Sequence, residues 1–160
     1  MTTLNLEFDD ISLYPTKSSQ LKSRSEVVTE RVFSFSKQGR ELSGNSIVAA
    51  NMDIVGTAHM AKSLAKQKCF TAIHKYNSDS DVLNLLNDPE VSPYVFYTIG
   101  MNKESLEQAE RLSKLIDFNK LQVCFEVANG YMQSFIDTIA TFSKKFPKCI
   151  IMAGNIISPE

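Results

Sequence analysis

A chain of 160 residues, 43% apolar and 22% charged, has the make-up of one ordinary globular domain. Its 17 basic and 18 acidic side chains leave a formal net charge of −1, which argues against electrostatically driven binding to nucleic acid or an anionic membrane. No apolar run approaches the ~18–20 residues of a membrane helix, and residues 1–10 carry acid where a secretory leader carries base and a long apolar stretch.

Taken in chain order, residues 1–45 read as an N-terminal β-ribbon with a polar loop. LNLEFDDISLYP and RVFSFS both alternate apolar with polar, and TKSSQLKSRSEV between them is polar and basic. The ribbon is expected to cover one end of a sheet. From residue 46 a unit repeats. Short β-forming runs at 46–50, 69–73, 94–98, 121–125 and 149–153 start roughly 25 residues apart, the repeat of βα units in a parallel sheet. Amphipathic stretches at 57–68, 78–87, 103–118 and 131–146 carry apolar residues at i, i+3 and i+4 and predict four helices. The cysteines Cys69, Cys124 and Cys149 sit inside apolar runs without ligand spacing, which predicts buried free thiols.

An α/β chain of this pattern fits either a doubly wound sheet or the first part of a (β/α)8 barrel, which needs eight strands and about 250 residues. A five-stranded open sheet normally closes with a helix over its last strand, and residues 156–160 are too few to supply one. In both architectures chemistry gathers at the carboxyl ends of strands. Those positions hold Asn51-Met52-Asp53, His74-Lys75-Tyr76, Gly100, Glu126 with Asn129-Gly130, and Gly154-Asn155. Bland readings stand beside each: Asp53 could cap a helix, His74 could be a hydrogen-bonded structural histidine, and Ser23 and Arg24 could belong to a solvated loop. Lys75 has no helix face to solvate, which favours a phosphate or carboxylate partner. No GxGxxG, GxxxxGK[ST] or GxSxG pattern is present, so the residues outline a rim without naming a reaction.

Read together, LEFDDISLYPTKSSQLKSRSEV, IVAANMDIVGT, FTAIHKY, EVANGY and IMAGNIIS resemble the IMP dehydrogenase/GMP reductase family across residues 4–160. AANMD with LKSRS is more similar to the reductase branch, and one short helix stands where dehydrogenases usually insert a regulatory domain pair. The resemblance implies a TIM barrel, (β/α)8, of which about five strands and four helices are present; residues 46–160 would be its first part, in a single domain with 1–45. It implies NADPH-dependent reductive deamination of GMP to IMP and ammonia, through a thioimidate on a cysteine nucleophile. It further implies purine salvage, a cytoplasmic homotetramer and a monovalent cation, K+, ordering the cysteine loop. Cofactor contacts transfer to Ser23, Arg24, Lys75, Glu126, Val127 and Ala128, and the purine side of the mouth to Asn51, Met52 and Asp53. The family's catalytic cysteine, threonine and glutamate, and its metal ligands, have no counterpart within 1–160, so the 160 residues alone are expected to be inactive. Glu126 stands where the family usually has aspartate, and HKYN where it tends to have HKHY. A non-catalytic half-barrel partner, a self-contained binding module and an IMP dehydrogenase-like enzyme are the rival readings.

Overall fold

The computed structural model describes residues 8–14, 18 and 20–157. Its sheet has six strands: β1 (Glu30–Phe35), β2 (Arg40–Ala49), β3 (Cys69–Ile73), β4 (Val95–Ile99), β5 (Gln122–Glu126) and β6 (Ile150–Gly154). Four helices connect them from β2 onward: α1 (Ala58–Ala65), α2 (Asp79–Leu86), α3 (Lys103–Leu112) and α4 (Gln133–Lys145). β1 pairs antiparallel with β2, and β2 through β6 run parallel in simple chain order.

That order and the position of the helices exclude the doubly wound reading. Ala61 of α1, Val82 of α2, Leu112 of α3 and Phe135 of α4 share one core with the outward residues Ile73, Tyr97 and Val123. The other face buries Phe70, Ala72, Phe96, Cys124 and Ile150, and no residue of the four helices joins them. A doubly wound sheet has helices on both faces and a strand order that reverses. Here the sheet is singly wound. β3 and β4 are buried at every position: the helices cover one face, and on the other Phe70, Ala72 and Phe96 pack with Leu42 and the partly buried Phe33, Phe35 and Tyr94.

Several element ends differ from the sequence expectation for local reasons. α1 stops at Ala65, and Lys68 takes a positive φ of 54° that closes the connection to β3. α3 stops at Leu112 rather than running through 118, because Asp117 accepts from the Asn119 amide and starts a separate short turn, Phe118–Lys120. At the N-terminus, Phe8–Asp10 forms a 3-10 turn and residues 11–14 form no strand, although their sequence alternates. Leu13 and Tyr14 are fully or largely exposed, so the alternation has no sheet face to bury and no ladder to join. The remainder of that first arm lies outside the described residues.

The second arm, RVFSFS, forms β1, but its partner is the start of β2 and not the first arm, so the β1–β2 hairpin adds an antiparallel strand to the edge of the sheet. Phe33 and Phe35 turn onto the helix-free face, where Phe33 meets Phe70 edge-on at 6.1 Å. Arg40, at the first residue of β2, closes the amino ends of the far strands. Its guanidinium donates to the carbonyls of Leu121 at 2.6 Å, Lys120 at 2.8 Å, and Asn119 and Lys148 at 3.3 Å each.

The three cysteines are free and buried. Burial pushes the Cys149 thiol up to about 12, with the nearby Arg40 charge pulling the other way, and burial also raises Cys124. A thiol whose folded pKa is raised leaves stability intact below its ordinary value and removes it as the unfolded state ionises first. Stability should therefore fall by about 1.4 kcal/mol per pH unit for Cys149 alone, between pH 9.0 and about 12. Denaturant titrations across that range should show the slope, and Cys149→Val should reduce it, leaving the share of the other buried acids such as Cys124.

Candidate functional site

The carboxyl ends of β2, β3, β4, β5 and β6 form one rim, and glycines set its geometry. The turn after β2 closes through bonds from Val55 and Gly56 N–H to the Met52 carbonyl at 3.0 and 2.7 Å. The Gly56 carbonyl then accepts from His74 N–H at 2.9 Å, which fastens this loop to the end of β3. A Cβ on Gly56 would lie 2.4 Å from the Ala72 carbonyl oxygen, so the close approach requires glycine. Thr57, and not Asp53, caps α1, accepting from Met60 N–H at 3.1 Å.

After β3, the His74 ring accepts from Tyr76 N–H through Nδ1 at 3.2 Å, and its carbonyl accepts from Asn77 Nδ2 at 2.6 Å. His74 thus shapes the turn that presents Lys75. The Lys75 stem crosses the end of β4 over Gly100, where a Cβ would stand 3.1 Å from Lys75 Cδ. Its ammonium reaches Glu126 of β5 at 3.9 Å and lies 5.5 Å from the Tyr76 ring centre. Both side chains of the pair are about a third exposed, and 3.9 Å exceeds hydrogen-bond length. Such a pair adds at most about 1 kcal/mol to stability. Its consequence is positional: a cation from the turn after β3 and a carboxylate from the end of β5 approach each other above a glycine.

Glu126 faces the helix-free side, where it lines a hollow of about 380 Å³ with Asn51, Cys124, Met152 and Asn155. Lys75 borders a second hollow of about 240 Å³ on the other side, with Tyr76, Asn77, Gln108 and Arg111. A larger hollow of about 600 Å³ lies at the amino ends, but its Arg40 is committed to backbone carbonyls. Val127 is buried, its N–H donating to the Gly154 carbonyl at 2.9 Å and its carbonyl accepting from Asn155 N–H at 3.0 Å. Gly130 N–H donates to the Asn155 carbonyl at 2.8 Å, so the loops after β5 and β6 are laced together. Ala128, Met52 and Asp53 are exposed at this rim and Asn51 is half-buried.

The structure thus brings Lys75, Glu126, Val127 and Asn51 to one rim. Ser23 and Arg24 lie in an exposed short turn, where Ser23 Oγ accepts from Ser25 N–H at 3.3 Å. Among the described residues no hydrogen bond or ion pair joins them to Lys75 or Glu126. Gln108, Ser105 and Gly56 were missed by sequence reasoning. Gln108 and Ser105 look like ordinary polar positions of an amphipathic helix, and only their tertiary partners distinguish them. Among the described residues no group of three or more His, Cys, Asp or Glu side chains is arranged to hold a metal ion, and no helix is long and apolar enough to cross a membrane.

Residues 5–160 match the model of the IMP dehydrogenase / GMP reductase domain. The chain is 39% identical to GMP reductase 1 of Rattus norvegicus and 40% identical to GMP reductase 1 of Homo sapiens, in each case over 158 residues. It is 37% identical over 161 residues to GMP reductase of Escherichia coli O81 (strain ED1a). Each alignment takes in 98% of this chain and 45% of the relative, so the chain spans about half the length of the curated relatives it matches. The chain belongs to the IMP dehydrogenase/GMP reductase family.

Proposed function

We propose that this chain is the amino-terminal part of an NADPH-dependent GMP reductase, with β2 to β6 as the first five strands of a (β/α)8 barrel. The observation that carries the reading is the meeting of Lys75 and Glu126 over Gly100, at the rim where barrel enzymes bind their ligands. The rim suits a phosphate-bearing cofactor. Among the described residues the Lys75 ammonium is only loosely paired and keeps donors free, and the missing Cβ of Gly100 lets the lysine stem pass close over the backbone. Val127, Ala128 and, from the polar loop, Ser23 and Arg24 complete the set we assign to the cofactor; Asn51, Met52 and Asp53 take the purine side. When bound, NADPH supplies the hydride that converts GMP to IMP with loss of ammonia.

The chain's own residues bind and orient. Glu126 draws Lys75 across Gly100, so that the cation stands at the mouth before any ligand arrives. All three thiols here are buried, and burial holds Cys124 and Cys149 in the unreactive protonated form. The family's cysteine nucleophile, its threonine and glutamate, and its K+ therefore belong to the rest of the barrel in this reading. The complete enzyme would act as a cytoplasmic homotetramer in purine salvage.

GMP-dependent oxidation of NADPH by the complete protein tests the proposal; NAD+-dependent oxidation of IMP in its place would instead favour a dehydrogenase. Lys75→Met should raise the KM for NADPH about tenfold or more, the loss of one charged hydrogen bond, while leaving the KM for GMP nearly unchanged. The 160 residues alone should show no turnover.

A further inference from the structure

One face of α3 is built toward the rim. Ser105, Gln108 and Arg111 stand three residues apart and so share a side of the helix. Ser105 Oγ accepts from Gly100 N–H at 2.8 Å, fixing the backbone beneath the Lys75 stem. Gln108 Nε2 donates to the Asn77 carbonyl at 3.0 Å and to Asp79 Oδ1 at 2.8 Å. Its Oε1 accepts from the buried Tyr97 phenol at 3.2 Å. Arg111 Nε donates to Asp79 Oδ2 at 3.2 Å. Asn77 passes the constraint back along the loop, since its own amide holds the His74 carbonyl at 2.6 Å.

The Gln108 amide therefore uses both N–H donors and its oxygen, and it needs both functions. Glutamate would lack the donors, lysine the acceptor, and leucine both. Its partner Asn77 lies two residues beyond Lys75, and Asn77's own partner His74 immediately precedes it. The same amide lines the hollow that Lys75 borders.

We propose that Gln108 is a positioning residue for the rim: acting through Asn77, it holds the 74–78 turn so that Lys75 is presented across Gly100 to an anionic group of the cofactor. The inference rests on the reading of Lys75 as a contact of NADPH, and its test separates the two. In the complete protein, Gln108→Leu should speed hydrogen exchange at the Tyr76 and Asn77 amides about tenfold, with Val123 and Cys124 of β5 unaffected. It should raise the KM for NADPH about five- to tenfold while the KM for GMP shifts by less than about twofold. Gln108→Glu, which keeps the acceptor toward Tyr97, should behave like the leucine variant because the donors are gone. Asn77→Ala breaks the next link, so the Gln108→Leu/Asn77→Ala double variant should be no worse than the poorer single one. Unchanged exchange in the loop overturns the proposal, as do effects of the two substitutions that add, or KM values for GMP and NADPH that rise together. A wild-type protein that does not use NADPH defeats the functional reading, and the exchange measurement then still judges the hold of Gln108 on the loop.

Discussion

Gly56→Ala should lower the unfolding free energy by about 3 kcal/mol, the upper range for forcing a methyl group into filled space. The new Cβ would meet the Ala72 carbonyl oxygen at 2.4 Å, His74 N at 2.9 Å and the Ala50 carbonyl oxygen at 3.0 Å. All three are backbone atoms of the sheet or its immediate continuation, so no side chain can swing aside. Relief must come from the loop itself, which would break the bond from His74 N–H to the Gly56 carbonyl. The displacement would carry Asn51 to Asp53 away from the rim, so weaker GMP affinity should accompany the lost stability under the proposed function. Urea unfolding of the wild type and variant checks the first part. Gly39→Asn serves as the contrast. Gly39 has a φ of +62°, a conformation asparagine tolerates, and a Cβ there would meet nothing within 4 Å. The loss at that position should stay below about 1 kcal/mol.

Arg40→Met should lower stability by a similar amount, about 2–4 kcal/mol, by a different route. The guanidinium spans four carbonyls from the segments that lead into β5 and β6, while itself standing at the start of β2. Methionine fills comparable volume but donates nothing, leaving partly buried carbonyls without their charged partner. Arg40→Lys should recover only a part, because one ammonium cannot reproduce a planar fork spread over several acceptors. Denaturant melts give the ranking directly: wild type, then lysine, then methionine. Equal stability of the arginine and methionine proteins would show that these bonds merely replace equally good ones to water.

Gly56 and Arg40 belong to parts of the chain that differ in how readily sequence discloses them. The alternation of β-forming runs with helical stripes was legible because each element must bury one face or stripe, and that need imposes its period on the residues. Rim residues such as Lys75 and Glu126 were legible for a related reason: in a parallel α/β sheet the carboxyl ends follow from the strand positions alone. Alternation in LNLEFDDISLYP misled in its described part, since the same pattern forms a strand only where a neighbouring strand offers a ladder, and residues 11–14 have none. Helix ends were overextended at α1 and α3, where a positive φ at Lys68 and the Asp117 turn outweighed apolar periodicity.

The sequence by itself determined the repeating βα order, the buried thiols, the rim and, through dispersed motifs, the family, because each is written in residues close together or in fixed periodicity. Only the tertiary structure decided that all four helices cover one face, that Lys75 crosses Gly100 to Glu126, and that Arg40 and Gln108 act at opposite ends of the sheet. Arg40 finds its acceptors 79 to 108 residues away, and Gln108 finds Asn77 31 residues away. No local pattern of a polar residue encodes which distant backbone carbonyl it will meet, so these partners emerge only when the strands are laid side by side.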